Sequence, residues 1–448
     1  MSTPETPSTP DQDPLRRLAV PIDLDAASLD PIMQAIGDAP LVLLGEATHG
    51  TEEFYRAREL LTLRLLEERG FDAVAVEADW PDADRVNRYV RGRGDDASAP
   101  AALGDFQRFP QWMWRNTRVV HLVDRLAALN TTRRPEAGVG FYGLDMYSLY
   151  RSIEAVLAYL DAVDPEAADK ARLRYACFDH SLEEPQRFGY QASMGLRPDC
   201  EREAVGQLME LQREASRYLA RDGRVASDEH FFAERNAAVV ADAERYYRAM
   251  FADRSNTWNL RDRHMFETLE ALREHLQSQG RPGRIVVWEH NSHLGDARAT
   301  SMGQRGDWNV GQLAREAHGD DAFVLGFTTF DGTVAAASDW DAPVQRMPVK
   351  PAVDDSIETR LRSLDMGGLF LDTRVAAARQ ALRERRWERA IGVIYRPQTE
   401  MQSHYFRAAV AEQFDGVVHF DTTEALDPLD KTPRWDDQRV PETFPFGV

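Results

Sequence analysis

Two short clusters carry the residue types that acid–base chemistry needs. Gly45-Glu46-Ala47-Thr48-His49-Gly50 closes an apolar run that begins at Leu41, and Trp288-Glu289-His290-Asn291-Ser292-His293 closes another that begins at Arg284. A carboxylate beside a histidine fixes which ring nitrogen holds the proton, and it supports the imidazolium formed when the other nitrogen accepts one. Glu46 stands three residues before His49, and a second carboxylate, Glu77, ends the continuously apolar run AVAVEAD at 73–79. A carboxylate in that position has to be paired at the mouth of a sheet, which makes Glu77 the preferred partner of His49. In the later cluster the spacing of three sets His290 and His293 on one face of a helical turn. Such a pair suits either hydrogen bonding to a developing oxyanion or a metal, for which His49 and Glu77 are the candidate further ligands.

Other residues follow from position. Arg58 lies in the helical-period stretch after the first cluster, and a long helical side chain points back toward the helix N-terminus, so its guanidinium reaches the same crevice. Asp145 ends the run GVGFYGLD, and Arg261 and Asp262 either cap the helix that leads back to the sheet or reach the site. His404 follows a sixth strand candidate. Asp145, Arg261 and His404 are the expected substrate-binding residues. The GxGxxG match at Gly138–Gly143 lies within a strand candidate rather than in a strand-to-helix turn, which argues against a dinucleotide site. Ser193 lacks the first glycine of a nucleophile elbow, and no Walker loop or HExxH helix appears.

These residues need strands that end side by side. Strand candidates fall at 41–46, 73–79, 138–145, 284–291, 322–329, 390–396 and 417–423, several of them continuously apolar as doubly covered strands are. Helical-period stretches alternate with them. The expected fold is therefore α/β, a largely parallel sheet flanked by helices, with a large all-helical insertion between the third and fourth strands. In this reading residues 1–14 are a disordered tail, 15–149 and 281–448 are the two halves of the core, and 150–280 are the insertion. The Pro and Asp clusters at 341–355 and 424–448 read as loops and a terminal tail. Tyr246 and Tyr247 read as core or lid surface.

Composition limits the partners. The 448 residues carry 54 Lys+Arg against 74 Asp+Glu, a net charge of −20, which disfavours the phosphate attraction that nucleic-acid binding depends on. No run approaches the length a membrane span needs, and the N-terminus has no signal-like segment, so a cytoplasmic protein is expected. Cys177 and Cys200 are read as two reduced thiols.

The strings GEATHGTEEFYRAR, EADW and WEHNSH resemble the erythromycin esterase family, from about residue 20 to 425. In that family the glutamate and histidine of the first turn, the arginine nine residues after that histidine, the next strand's glutamate and the HxxH pair are implicated in catalysis. Here those positions hold Glu46, His49, Arg58, Glu77, His290 and His293, with no departure. The resemblance implies hydrolysis of esters, including macrolactone opening and hence antibiotic resistance, without an obligatory metal or other cofactor. It also implies a helical region beside an α/β core. The segments FPQWMWRNT, FYGLDMYS and RPQTEMQSHYF resemble a branch sometimes fused to a phosphoribosyltransferase domain, for which this chain has no room. The leading expectation is a hydrolase of a small-molecule ester or lactone with His49 as base. Its competitors are a metal-dependent hydrolase using His49, His290 and His293, and a transferase or ligand-binding stress protein using the same crevice.

Overall fold

The computed structural model describes residues 13–178, 185–196, 199–219, 223–252, 255–431 and 435. Most of the expected N-terminal tail, residues 1–12, lies outside them. Asp13 and Pro14 belong instead to the helix Pro14–Leu18, whose start the Asp13 carboxylate caps. Of the expected C-terminal tail, 424–431 and Trp435 are described. Leu426 and Trp435 are buried in the core, so this stretch packs against the body of the protein.

Among the described residues eleven strands occur: β1 (Val20–Pro21), β2 (Leu41–Leu44), β3 (Ala73–Asp79), β4 (Gly140–Asp145), β5 (Ile285–Trp288), β6 (Ala322–Ala336), β7 (Gln345–Val349), β8 (Gly368–Asp372), β9 (Arg386–Arg389), β10 (Tyr405–Ala408) and β11 (Gly416–Thr423). Nine of them form one sheet in the order β1-β8-β11-β6-β2-β5-β3-β4, with β7 paired to β6. The run from β11 to β4 is parallel, while β8 pairs antiparallel with β11 and with β1. β2, with the sequence LVLL, is buried along its whole length. Helices on both faces explain why it shows no alternation.

The result is a mixed α/β fold with a large central sheet and many helices. Between Asp145 and Ile285 the described residues form helices, the longest being Glu201–Leu219, Gly223–Ala252 and Ser255–Ser278. They enclose an apolar cluster of their own, around Ile153, Val156, Phe188, Ala237 and Tyr247.

Three local expectations are corrected. The apolar run 390–396 is not a sheet strand. Ile391 and Ile394 make isolated bridges to Thr48 and Ala337, and the neighbouring strands β9 and β10 form a separate two-stranded sheet. The 341–355 stretch contains β7, whose alternating exposure marks a strand on the end of a long hairpin. Cys177 and Cys200 are a disulfide rather than two free thiols. The helices flanking them bring their Cα atoms to 5.9 Å, within bridging range, and a count of two cysteines could not reveal that approach.

Sheet order accounts for the site. In the series β2-β5-β3-β4, the first histidine cluster follows β2 and the second follows β5, while Glu77 lies in β3 and Asp145 ends β4. Residues scattered over 240 positions of sequence therefore meet at neighbouring carboxyl ends, where open α/β sheets place their ligands.

Candidate active site

Backbone packing builds the first turn. Asn291 donates its backbone N–H to the Glu46 carbonyl at 2.8 Å, and its side chain bonds Phe327 on β6. Gly45 faces that side chain so closely that a Cβ would lie 2.2 Å from Asn291 Oδ1, and a Cβ on Gly50 would lie 1.9 Å from the Ala335 carbonyl oxygen. Both glycines are thus required by close approach, and neither has a positive φ. The helix Glu52–Glu68 then starts at Thr51 and carries Arg58 back toward the turn.

At the centre is a relay of three buried groups. Arg58 donates to Glu46 Oε2 at 2.6 Å, and Glu46 Oε1 stands 2.9 Å from His49 Nδ1. A carboxylate only accepts, so His49 Nδ1 carries the proton and Nε2 is left with its lone pair. Arg58 is sandwiched between the Tyr55 and Trp288 rings, 4.4 and 4.6 Å from their centroids. The partner of His49 is therefore Glu46, not the preferred Glu77. The turn between β2 and the helix is tight enough to bring residues 46 and 49 face to face.

Glu77 is committed elsewhere. Its Oε1 accepts from Arg261 at 2.7 Å and its Oε2 from the backbone N–H of His290 at 2.9 Å. Burial opposes its ionisation, but His293, Arg261 and His49 outweigh it and hold the carboxyl well below the usual range. Arg261 also grips Asp145, at 2.7 Å through its outer nitrogen. Both residues line the site, yet each is bound first to the other.

The two histidines after β5 differ. His290 caps the one-turn helix Asn291–Leu294, its Nδ1 accepting from the Ser292 N–H. The proton therefore sits on Nε2, which is turned toward the Ala47 carbonyl without reaching it in ordinary hydrogen-bond geometry. Burial and the neighbouring His49, whose ring centroid is 4.9 Å away, keep His290 neutral, well below the ordinary imidazole range. His293 has partners on both nitrogens, Asp262 at Nδ1 and Arg261 at Nε2.

These groups floor a cavity of 610 Å³. Its walls come from Phe106, Phe109 and Trp114 of the core, Tyr147, Tyr246, Tyr247 and Trp258 of the helical region, and Trp340. Trp340 meets Phe109 with ring centroids 5.0 Å apart. An apolar, aromatic enclosure over a few convergent polar groups is the usual form of a small-molecule site. Sequence reading missed Asp262 as a partner of His293, and it missed the aromatic wall, because neither shows as a local motif.

His404 is the expected site residue that the structure leaves out. It does not line the cavity. Its Nε2 accepts from the Arg396 N–H at 3.1 Å, closing the loop that follows residue 396. His404→Ala is expected to leave turnover unchanged, measured on whichever substrate the wild type accepts.

The histidines do not present a ligand set for a metal. His49 Nδ1 is bound to Glu46, both His293 nitrogens are bound, and His290 Nδ1 accepts a backbone N–H. Among the described residues no three His, Cys, Asp or Glu side chains converge on a cation. Among them, too, no helix is long and apolar enough to cross a membrane.

The family model described as erythromycin esterase matches residues 66–423. The chain is 22% identical over 429 residues to the Bacillus subtilis protein YbfO, named as a hydrolase, covering 90% of this chain and 89% of that protein. It is 22% identical over 324 residues to erythromycin esterase type II of Escherichia coli, covering 68% of this chain and 73% of the esterase. Its fold is shared with a Bacillus cereus protein of known crystal structure, with TM-score 0.77, 19% identity, and coverage of 95% of this chain and 100% of the other. It is also shared with an erythromycin esterase mutant in its open conformation, with TM-score 0.62, 17% identity, and coverage of 91% and 96%.

Proposed function

The chain belongs to the erythromycin esterase family, and on that premise we propose that it is a hydrolase in which His49 activates water against the carbonyl of an ester or lactone. The observation that carries this reading is the buried relay Arg58–Glu46–His49, which leaves Nε2 as the nitrogen that His49 can offer to the cavity. Arg58 holds the Glu46 carboxylate in place, Glu46 accepts from Nδ1, and Nε2 is thereby left as the base.

In the first step the water oxygen bonds to the carbonyl carbon while its proton passes to His49 Nε2, and Glu46 stabilises the imidazolium. His290 is the donor to the oxyanion, through a nitrogen that makes no well-formed hydrogen bond within the protein. When the tetrahedral intermediate collapses, the carbon–alkoxy bond breaks and the proton on His49 returns to the leaving oxygen. The products are a carboxylic acid and an alcohol, or one hydroxy acid if the substrate is a lactone. No step calls on a metal. The cavity volume and its aromatic walls suit a bulky, largely apolar substrate. Macrolides and the resistance they would imply are one candidate class.

The test is incubation of purified protein with erythromycin, smaller lactones and simple esters in ordinary and ¹⁸O-labelled water, followed by mass spectrometry. Addition of one water, with label in the carboxylate, is the expected result. A ligand bound and recovered unchanged would overturn the reading in favour of a binding protein, and transfer of an acyl group to an added alcohol in preference to water would favour a transferase.

A further inference from the structure

The helical region supplies more than a wall. One turn of the helix Ser255–Ser278 surrounds the His293 ring on three sides. Trp258 stacks on its face, with centroids 4.4 Å apart and planes 7° from parallel. Asp262, four residues on, sets both carboxylate oxygens 2.9 and 3.0 Å from Nδ1, and Arg261 sets NH1 3.0 Å from Nε2. The grip is itself anchored. The indole of Trp258 donates to the Trp308 carbonyl at 2.8 Å, and the Val310 N–H donates to Asp262 at 3.1 Å. Asp262 is wholly buried.

His293 Nε2 faces two groups of opposite demand: Arg261, which can only donate to it, and Glu77 Oε1 at 3.5 Å, which would accept from an Nε2–H. Asp262 at Nδ1 can only accept, so it decides between them and the single ring proton lies on Nδ1. Burial opposes a second proton, while Asp262 and Glu77 favour one and raise the ring's affinity for it above the ordinary value. A second proton would place Nε2–H between the Arg261 guanidinium and Glu77 Oε1. With one proton the ring joins a continuous series: Asp262, His293, Arg261, Glu77 and the backbone N–H of His290.

We propose that Asp262 is a positioning residue that fixes the His293 tautomer and, through Arg261 and Glu77, the placement of His290. The HxxH pair is then divided in its work. His293 has no nitrogen to spare for a substrate and braces the site, while His290 faces the reaction. The dependence also runs across the molecule, because the helical region must be docked for the brace to exist. The kinetic part of this inference rests on the proposed hydrolase reading, whereas the tautomer does not.

The experiment pairs kinetics with ¹⁵N-histidine NMR on the full chain, using wild type, Asp262→Asn and Asp262→Glu, on the alkaline side of the His293 titration. Wild-type His293, assigned through loss of its signals in His293→Gln, is expected as the Nδ1–H tautomer. In Asp262→Asn the amide can donate to Nδ1, so the proton moves to Nε2, and kcat is expected to fall by about 10- to 100-fold, the usual effect of losing a residue that orients a histidine, with KM little changed. Asp262→Glu, which keeps a carboxylate, is expected to regain part of both. An Nε2–H tautomer in the wild type overturns the proposal, as does an unchanged tautomer or wild-type kcat in Asp262→Asn. If Asp262→Asn does not fold, the wild-type spectrum still decides. If the wild type hydrolyses nothing, the tautomer shift alone supports or sinks the positioning role.

Discussion

His49→Ala is expected to lose about 10²- to 10⁴-fold in kcat, the range that a positioned general base contributes, with the fold intact. His49 sits on a turn whose backbone is held independently of its ring. The Thr48 and Ile391 segments bridge, the Ile391 N–H donates to the Ala47 carbonyl at 2.8 Å, and Gly50 accepts from Ala335 and Leu426. Removing the imidazole therefore takes away the proton acceptor without loosening its mount. The substitution leaves the aromatic walls of the cavity untouched, so KM is expected to change little. Steady-state kinetics on the preferred substrate, beside a thermal melt, separates the effects. A variant that melts like the wild type and keeps most of its kcat would remove His49 from the role of base. Added imidazole, if it enters the space left behind, should restore part of the rate.

The sequence made this residue findable because its signal is local. A β-rich run, a glycine, a carboxylate and a histidine before a helical period fix the element, the turn and the end of the sheet at which they lie. The same holds for His290 and for Glu77, whose positions at strand ends follow from apolar runs that stop at a charge. Sheet order is different in kind: β8, with the sequence GLFLD, is not among the strand candidates, and it enters antiparallel between β1 and β11, a direction that no local signal gives. Partner choice was the least legible feature. Glu46 and Glu77 are equivalent as residue types, and only the observed turn shows that Glu46 meets His49 while Glu77 is drawn to Arg261, 184 residues away in sequence. Asp262 could not be paired with His293 for the same reason: a helical period shows which residues share a face, not what stands opposite. His404 shows the converse, a polar residue after a strand candidate that proved to be loop closure.

Arg58→Ala is expected to damage both stability and activity. Arg58 and Glu46 are both almost wholly buried, and breaking such a pair by removing one partner leaves a charge without compensation, an effect of about 3–5 kcal/mol. Without its cation Glu46 also loses the donor that fixes Oε2, and with it the placement of Oε1 against His49 Nδ1. A carboxylate that turns away from Nδ1 no longer selects the tautomer of the ring, and Nε2 is no longer held ready as the base. The variant is therefore expected to lose kcat and melting temperature together. Arg58→Lys keeps the charge but not the planar fork or the stacking between Tyr55 and Trp288. It should recover kcat more fully than the melting temperature. Steady-state kinetics and thermal melts of the two variants provide the test. An Arg58→Ala variant that melts low but keeps the wild-type kcat would mean that Arg58 holds the fold together without placing Glu46, and the relay would reduce to Glu46 and His49 alone.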